Sequence, residues 1–312
     1  MRAVVVRTFG GPEALEVAEV PTPVPGPGQV RIRVRAAAVN PVDAFVRSGM
    51  ATQVGMQPER DGDVGVGWDV AGVVDALGEH TAGFSVGDEV IGLSDRLDVP
   101  TGGYAEYLVL DAGAVARAPR GVSPELAATL PLNALTAAQA LDRAELDAGR
   151  TLLVTGAAGA VGGYAVQLAA SDGIRVLATA SAADEKLVRS LGAAEFVPRG
   201  EHLATAVRAL VPSGVDAVID AAALGTRALD AVRGGGTFVA VLDVAVPKPL
   251  RGTRVRTVYV QADGRRLADL VARTETGRLT PRVAETYPLD KASEAHHRLA
   301  QGGLRGRLVL VP

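Results

Sequence analysis

The strongest chemical signal in the sequence is the glycine-rich segment 156–163, which reads GAAGAVGG. An apolar run typical of a strand precedes it, and a helix-like run follows it. In such a unit Gly156 permits a tight turn, and Gly159 lets the backbone approach a pyrophosphate. Gly162 lets the helix pack closely on the strand. The spacing is looser than G-x-G-x-x-G, so the strand–turn–helix context carries the prediction of a dinucleotide site.

The end of the next strand indicates which dinucleotide to expect. Enzymes that use NAD place a carboxylate there, about 20 residues beyond the last glycine, on the ribose 2′-hydroxyl. This chain has Ser181 at that point, with Lys186 and Arg199 close behind. A hydroxyl and two cations suit a 2′-phosphate, so the sequence predicts NADPH.

Two alternatives remain open at the same strand end. Ser181 could cap the following helix in a Ser181-x-x-Asp184 box, with Lys186 and Arg199 merely solvated. Asp184 or Glu185 could instead bind the ribose of NAD.

Two further patterns could do chemistry but lack the required context. Gly83-Phe-Ser85-Val-Gly87 has the spacing of a hydrolase nucleophile turn, yet a turn-rich segment precedes it and a strand follows. His296 and His297 are adjacent in a charged helix. Two histidines on a helix bind one metal ion only when both lie on the same face, and adjacent residues do not. We expect the histidines at the surface and no metal site.

Composition narrows the class of protein. The 312 residues suggest about two domains, and 48% hydrophobic residues can form sizeable cores. Cysteine is absent, which excludes disulfides, thiolate-bound zinc and a cysteine nucleophile. A net charge of −3 argues against nucleic acid as a partner. The uncharged segment 151–171 breaks into a strand and a helix, so we expect no membrane span and a cytoplasmic protein.

The elements that position these motifs change in kind along the chain. The first part is β-rich, with strands predicted at 1–7, 17–20, 30–35, 70–77 and 89–93. Later, strands predicted at 151–155, 175–179, 215–219 and 236–242 alternate with helices at 161–170, 184–191, 203–210 and 226–232. This alternation indicates an α/β doubly wound parallel sheet.

The C-terminal part returns to the first module. A helix at 267–276 and a terminal strand at 306–311 follow the α/β pattern, and the strand has nothing left to pair with there. We therefore expect a discontinuous β-rich domain, 1–122 and 264–312, and a nucleotide-binding domain, 123–263.

Several motifs in this order resemble the medium-chain dehydrogenase/reductase superfamily, specifically its zinc-free quinone oxidoreductase (zeta-crystallin-like) branch. The motifs that carry the resemblance, besides the glycine turn, are NPVD at 40–43, GWDVAGV at 67–73, GDEV at 87–90, GGYAEY at 102–107, ATLPLNALTA at 128–137, VDAVID at 215–220 and GRLVL at 306–310. The resemblance implies a GroES-like catalytic domain, a Rossmann domain and a homodimer joined through the nucleotide-binding domains.

The resemblance also implies site residues. Asn40, as an orienting residue, and Thr129 match family positions near the nicotinamide, while Gly159, Ala160 and Val161 match the pyrophosphate turn. Phe45, Trp68 and Asp69 match the substrate cleft. Zinc-dependent relatives place a cysteine near position 40 and a His-Glu pair near 68 and 69, where this chain has Asn40, Trp68 and Asp69.

The expected function is NADPH-dependent, zinc-independent hydride transfer to quinones or related conjugated carbonyls. Relatives often carry a tyrosine where this chain has Phe45, so no phenol is expected as a proton donor there. Two alternatives stay open: an enoyl or alkenal double-bond reductase of the same fold, and an NADPH-binding sensor or structural protein with low turnover.

Overall fold

The structure is a computed structural model that describes residues 1–58, 62–97, 99–200 and 202–312. Its strands are β1 (Arg2–Val6), β2 (Leu15–Glu19), β3 (Gln29–Val39), β4 (Val64–Gly65), β5 (Asp69–Leu77), β6 (Glu89–Leu93), β7 (Tyr107–Asp111), β8 (Val115–Arg117), β9 (Thr151–Thr155), β10 (Arg175–Ala180), β11 (Glu195–Pro198), β12 (Val215–Asp220), β13 (Val232–Ala240), β14 (Arg254–Thr257), β15 (Val283–Pro288) and β16 (Arg307–Val311). Its α-helices are α1 (Pro41–Arg47), α2 (Met50–Gln53), α3 (Pro124–Ala127), α4 (Pro131–Ala144), α5 (Ala160–Ser171), α6 (Glu185–Ser190), α7 (Leu203–Leu210), α8 (Thr226–Leu229), α9 (Gly264–Glu275) and α10 (Ala292–Ala300).

The chain divides into two compact units. The first comprises 1–132, 261–276 and 281–312, and the second comprises 133–260 and 277–280. The predicted boundaries at 122 and 264 fall near these limits.

The first unit is built on mainly antiparallel sheets, in which β15 and β16 form a parallel pair. The larger sheet has the order β15-β16-β3-β5-β6-β8, and β7 also pairs with β3. Strand β3 alternates as its sequence predicts: Val30, Ile32 and Val34 are buried while the arginines between them face outward. The terminal strand β16 pairs with β3, so the end of the chain lies in the same sheet as the first module.

The second unit is a parallel sheet with the order β11-β10-β9-β12-β13-β14. The order reverses at β9, whose neighbours are β10 and β12. Ligands of doubly wound sheets bind beyond the carboxyl ends of the strands at such a reversal. The predicted fold class is confirmed, and the glycine turn follows β9 at this point.

The predicted helix at 226–232 and strand at 236–242 are among the elements whose bounds differ in the structure. The helix expected at 226–232 ends at Leu229, because Val232 already begins β13, which runs to Ala240 rather than 242.

The uncharged segment 151–171 forms β9, the glycine turn and α5. In the described part of the chain, we find no helix with the length and apolar character that crossing a membrane requires.

Candidate functional site

The glycine turn has the geometry that its sequence predicts. Gly156 adopts φ +63°, a left-handed conformation that favours glycine. A Cβ atom on Gly162 would lie 2.3 Å from the carbonyl oxygen of Gly156, so the turn and α5 touch backbone to backbone. Helix α5 begins at Ala160, and the first N–H groups of a helix lack internal acceptors and favour anions. The turn therefore fits a dinucleotide pyrophosphate.

Three polar residues lie side by side at the carboxyl ends of the central strands. Thr179 of β10 pairs in register with Thr155 of β9, and Thr155 pairs with Asp220 of β12. The Thr155 hydroxyl donates to Asp220 Oδ1 at 2.5 Å. The hydroxyl of Thr179 is buried and has no hydrogen-bond partner in the described structure. An unsatisfied hydroxyl at this strand end fits a site that a polar ligand completes.

Two of the predicted 2′-phosphate residues, Ser181 and Arg199, lie together beyond β10, and Lys186 lies in the first turn of α6. The backbone N–H of Arg199 donates to the carbonyl oxygen of Ala180 at 2.7 Å, which places Arg199 beside Ser181. Lys186 and Arg199 are exposed, and neither side chain has a partner among the described residues. The Ser181 side chain makes no capping hydrogen bond, so the alternative of a Ser181 capping box is not realised.

The two carboxyl groups near this end differ in their surroundings. Glu185 pairs with Arg189 one helical turn on, with 2.8 Å between Oε1 and Nε. Asp184 is buried, with 8% of its surface exposed. Neither arrangement resembles a free carboxylate at the strand end.

In the first unit, Asn40 lies at the centre of a buried polar network. Its side-chain Nδ2 donates to Asp69 Oδ2 at 2.8 Å and more weakly to the carbonyl oxygen of Ala38 at 3.4 Å. Its backbone N–H donates to Asp43 Oδ2 at 2.7 Å. Asp69 Oδ1 accepts from the backbone N–H of Leu132 at 2.6 Å, in the first turn of α4. Both side-chain amide hydrogens of Asn40 are thus engaged within this network, and Asn40 and Asp43 also form a capping box at the start of α1.

The same network continues away from Asn40. The Tyr104 hydroxyl donates to Asp43 Oδ2 at 2.9 Å and lies 3.2 Å from His296 Nε2. His296 Nδ1 accepts from Arg47 Nη1 at 2.8 Å. His296 is 1% exposed, so the prediction that it lies at the surface is wrong; His297 is the exposed member of the pair.

Burial dominates the acid–base properties of this network. It raises the pKa of Asp43 and of Asp69 to about 7 each, although hydrogen bonds from Asn40 and other donors oppose the rise. Burial also raises the pKa of Tyr104 well above its usual range. The pKa of His296 falls to about 3, because burial and then the charge of Arg47 disfavour its cation. His296 is therefore neutral at physiological pH.

The remaining predicted site residues are also in the first unit. Thr129 is buried, and its hydroxyl donates to the carbonyl oxygen of Leu126 at 2.8 Å. Phe45 and Trp68 are half-buried, and Phe45 packs against the core of this unit. Among the described residues, no three His, Asp or Glu side chains lie close enough together to hold a metal ion.

Comparisons with known proteins agree with this architecture. Residues 26–120 match the family model described as alcohol dehydrogenase GroES-like domain, and residues 191–310 match the one described as zinc-binding dehydrogenase. The quinone oxidoreductase of Homo sapiens is 32% identical over 330 residues, covering 100% of this chain and 98% of that protein. This chain belongs to the quinone oxidoreductase branch of the medium-chain dehydrogenase/reductase superfamily. It is an oxidoreductase with a nicotinamide-cofactor-binding fold.

Other members of the superfamily differ in their cofactors. The chloroplastic NADPH-dependent alkenal/one oxidoreductase of Arabidopsis thaliana is 32% identical, covering 100% of this chain and 80% of that protein. A solved structure named as an NAD-dependent alcohol dehydrogenase has a TM-score of 0.89 and 34% identity, with 100% of both chains covered. Membership of the superfamily alone thus leaves the choice between NADPH and NADH to the residues at the strand end.

Sequence patterns did not predict the surroundings of some candidate residues. His296 shares a helix face with Ala292, Ala295 and Leu299, a spacing that places it on the buried side of α10. This spacing could have predicted the burial of His296, but no pattern in the sequence indicates its contact with Arg47. No local pattern predicts that Thr179 and Asp220 lie beside Thr155, because their proximity depends on the order of the strands.

Proposed function

We propose that this chain transfers hydride from NADPH to quinones or related conjugated carbonyls, without a catalytic metal. The observation that carries the choice of NADPH is the exposed cation Arg199 beside Ser181, with Lys186 in the first turn of α6; neither cation has a partner among the described residues. A 2′-phosphate would gain charge-assisted hydrogen bonds there, whereas the described strand end offers no free carboxylate to a 2′-hydroxyl.

The proposal of metal independence rests on the residues at the family's zinc-ligand positions. Asn40 and Asp69 hydrogen-bond each other, Asp69 also caps α4, and Trp68 offers no ligand atom comparable to a thiolate, imidazole or carboxylate. A simple ketone would leave an alkoxide, which a zinc ion stabilises in the metal-dependent relatives. A quinone leaves a delocalised anion, which can take its proton from water.

Each group of residues then has a defined task. Bound NADPH supplies the hydride, and the chain supplies position and exclusion of water. The glycine turn holds the pyrophosphate, and the network of Asn40, Asp43 and Asp69 fixes the polar groups near the nicotinamide. Phe45 and Trp68 line the substrate cleft in this proposal, and Phe45 brings no hydroxyl that could act as an acid.

A second candidate is reduction of the carbon–carbon double bond of an enone or alkenal. The similarity to the Arabidopsis alkenal/one oxidoreductase favours it, and it needs the same cofactor. The two activities differ in the acceptor atom, which is carbon for the enone.

Steady-state oxidation of NADPH with a panel of quinones, enones and alkenals tests this proposal. We expect turnover with quinones to exceed turnover with enones and alkenals. Faster reduction of alkenals would favour the second candidate. Tight NADPH binding without turnover on any acceptor would contradict both and favour a binding protein.

A further inference from the structure

We propose that Thr155 and Asp220 form a positioning pair that holds the glycine turn of this protein in its cofactor-binding geometry. This inference rests on the proposed function only in assuming that the glycine turn binds a nicotinamide dinucleotide. The pair touches no reacting atom, so its two members are positioning residues and not catalytic ones.

The Asp220 carboxylate, 2% exposed, is held by donors from two strand ends. Oδ1 accepts from the Thr155 hydroxyl at 2.5 Å and from the N–H of Leu224 at 3.1 Å, and Oδ2 accepts from the N–H of Gly225 at 2.8 Å. The N–H of Ala222 donates to Thr155 Oγ1 at 3.0 Å and, less directly, to Asp220 Oδ1 at 3.4 Å. A carboxylate so occupied organises protein backbone and has little capacity left for a ribose hydroxyl.

The backbone that these bonds hold is a strained turn. Ala223 has φ +53°, which a residue with a side chain rarely adopts, and Gly225 has φ +59°. Such a conformation persists only where the surroundings enforce it. Here the hydrogen bonds to Asp220 and Thr155 enforce it.

The strained turn at 221–225 contacts the glycine turn directly. A Cβ atom on Gly156 would lie 3.2 Å from the carbonyl oxygen of Ala221, so the two turns meet at backbone distance. Thr155 immediately precedes Gly156, and its side chain binds the neighbouring strand end. The pair therefore fixes the glycine turn from one side, while the contact of Gly156 with Gly162 fixes it from the other.

The chain contains a matched pair at the opposite end of the same two strands. The Thr151 hydroxyl of β9 donates to Asp216 Oδ2 of β12 at 2.8 Å. Both pairs join a threonine to an aspartate across the same strands, but ligands bind beyond the carboxyl ends only. Loss of the Thr151 hydroxyl should thus affect stability and leave cofactor affinity intact.

The test compares cofactor dissociation constants of the full chain, measured in the absence of any acceptor. We expect Thr155→Val to weaken NADPH and NADH alike by about tenfold, and Thr155→Ser to stay within about twofold of wild type, because serine keeps the hydroxyl. Thr151→Val should stay within about twofold for either cofactor. Melting temperatures of all variants show which of them fold.

Asp220→Asn provides a second arm that does not depend on Thr155→Val being folded. It should also weaken both cofactors by at least tenfold, because an amide presents hydrogens to the donors of the turn. Wild-type affinity in Thr155→Val or Asp220→Asn, or equal losses in Thr151→Val and Thr155→Val, would overturn the positioning role. If the wild type bound NADH better than NADPH, the proposed cofactor choice would fail while the positioning pair stood. If the wild type bound neither, both would fail.

Discussion

Arg47 Nη1 lies 2.8 Å from His296 Nδ1, although 249 positions separate the two residues in the chain. An arginine side chain only donates hydrogen bonds, so Nδ1 must accept and the ring proton must be on Nε2. That proton points to the Tyr104 hydroxyl, which in turn donates to Asp43. A directional chain of donors thus runs from Arg47 to the carboxylate that holds the backbone of Asn40.

Replacement of His296 tests this chain through the pH dependence of stability. Folding keeps His296 neutral, with a pKa of about 3, whereas the unfolded histidine titrates near its usual ~6.5. The unfolded state binds more protons between these values, so the stabilisation by His296 is complete above about pH 6.5 and is lost as the pH falls towards 3. We expect His296→Gln to lower the unfolding free energy by ~1–3 kcal/mol at pH 7 and by progressively less below pH 6.5.

Denaturant unfolding across this pH range measures the effect, and the exposed neighbour provides the control. His297→Gln should change the unfolding free energy little at pH 7, because its side chain is exposed. If the loss of unfolding free energy in His296→Gln grew as the pH fell, it would contradict the assignment of a neutral His296 whose Nδ1 accepts from Arg47.

Replacement of Lys186 tests the choice of cofactor. We expect Lys186→Ala to weaken NADPH by ~1–3 kcal/mol, the usual cost of a charge-assisted hydrogen bond, and to leave NADH almost unchanged. Arg189→Ala on the same helix is the matched control, because Arg189 is already paired with Glu185. Equal losses for the two cofactors in Lys186→Ala would refute a 2′-phosphate contact.

Removal of metal tests whether zinc takes part. After dialysis against a strong chelator, we expect turnover and melting temperature to be unchanged, because Asn40 and Asp69 are bonded to each other. Elemental analysis accompanies the assay. Stoichiometric zinc, or activity restored only by zinc, would refute metal independence.

The edge of the parallel sheet carries the prediction of a homodimer. Strand β14 ends the sheet, and exposed apolar residues precede it, with Val244 89% exposed. An unpaired edge beside apolar surface favours association with a second copy. We expect light scattering to give a dimer that Val244→Glu weakens, while Val24→Glu, at a position 83% exposed in the other unit, leaves it intact. A monomeric wild type would disprove the dimer.

Local patterns predicted much of the fold and part of the site. Periodicity located β6, β9 and α7 at their observed bounds, and the glycine spacing located the turn between β9 and α5. Local patterns gave wrong predictions where contacts distant in sequence determine burial. His296 was predicted at the surface because its helix is charged, yet its side chain contacts Tyr104 and Arg47. The pairing of Asp220 with Thr155 follows from strand order, which no local pattern contains.

The ratio of kcat/KM for a quinone to that for a simple ketone, measured on the chelator-treated enzyme with NADPH, shows whether hydride transfer here proceeds without a metal or a phenol acid. We expect a large preference for the quinone, because its reduced anion is delocalised and Phe45 supplies no acid for an alkoxide. Simple ketones or secondary alcohols that turned over better than quinones would contradict it.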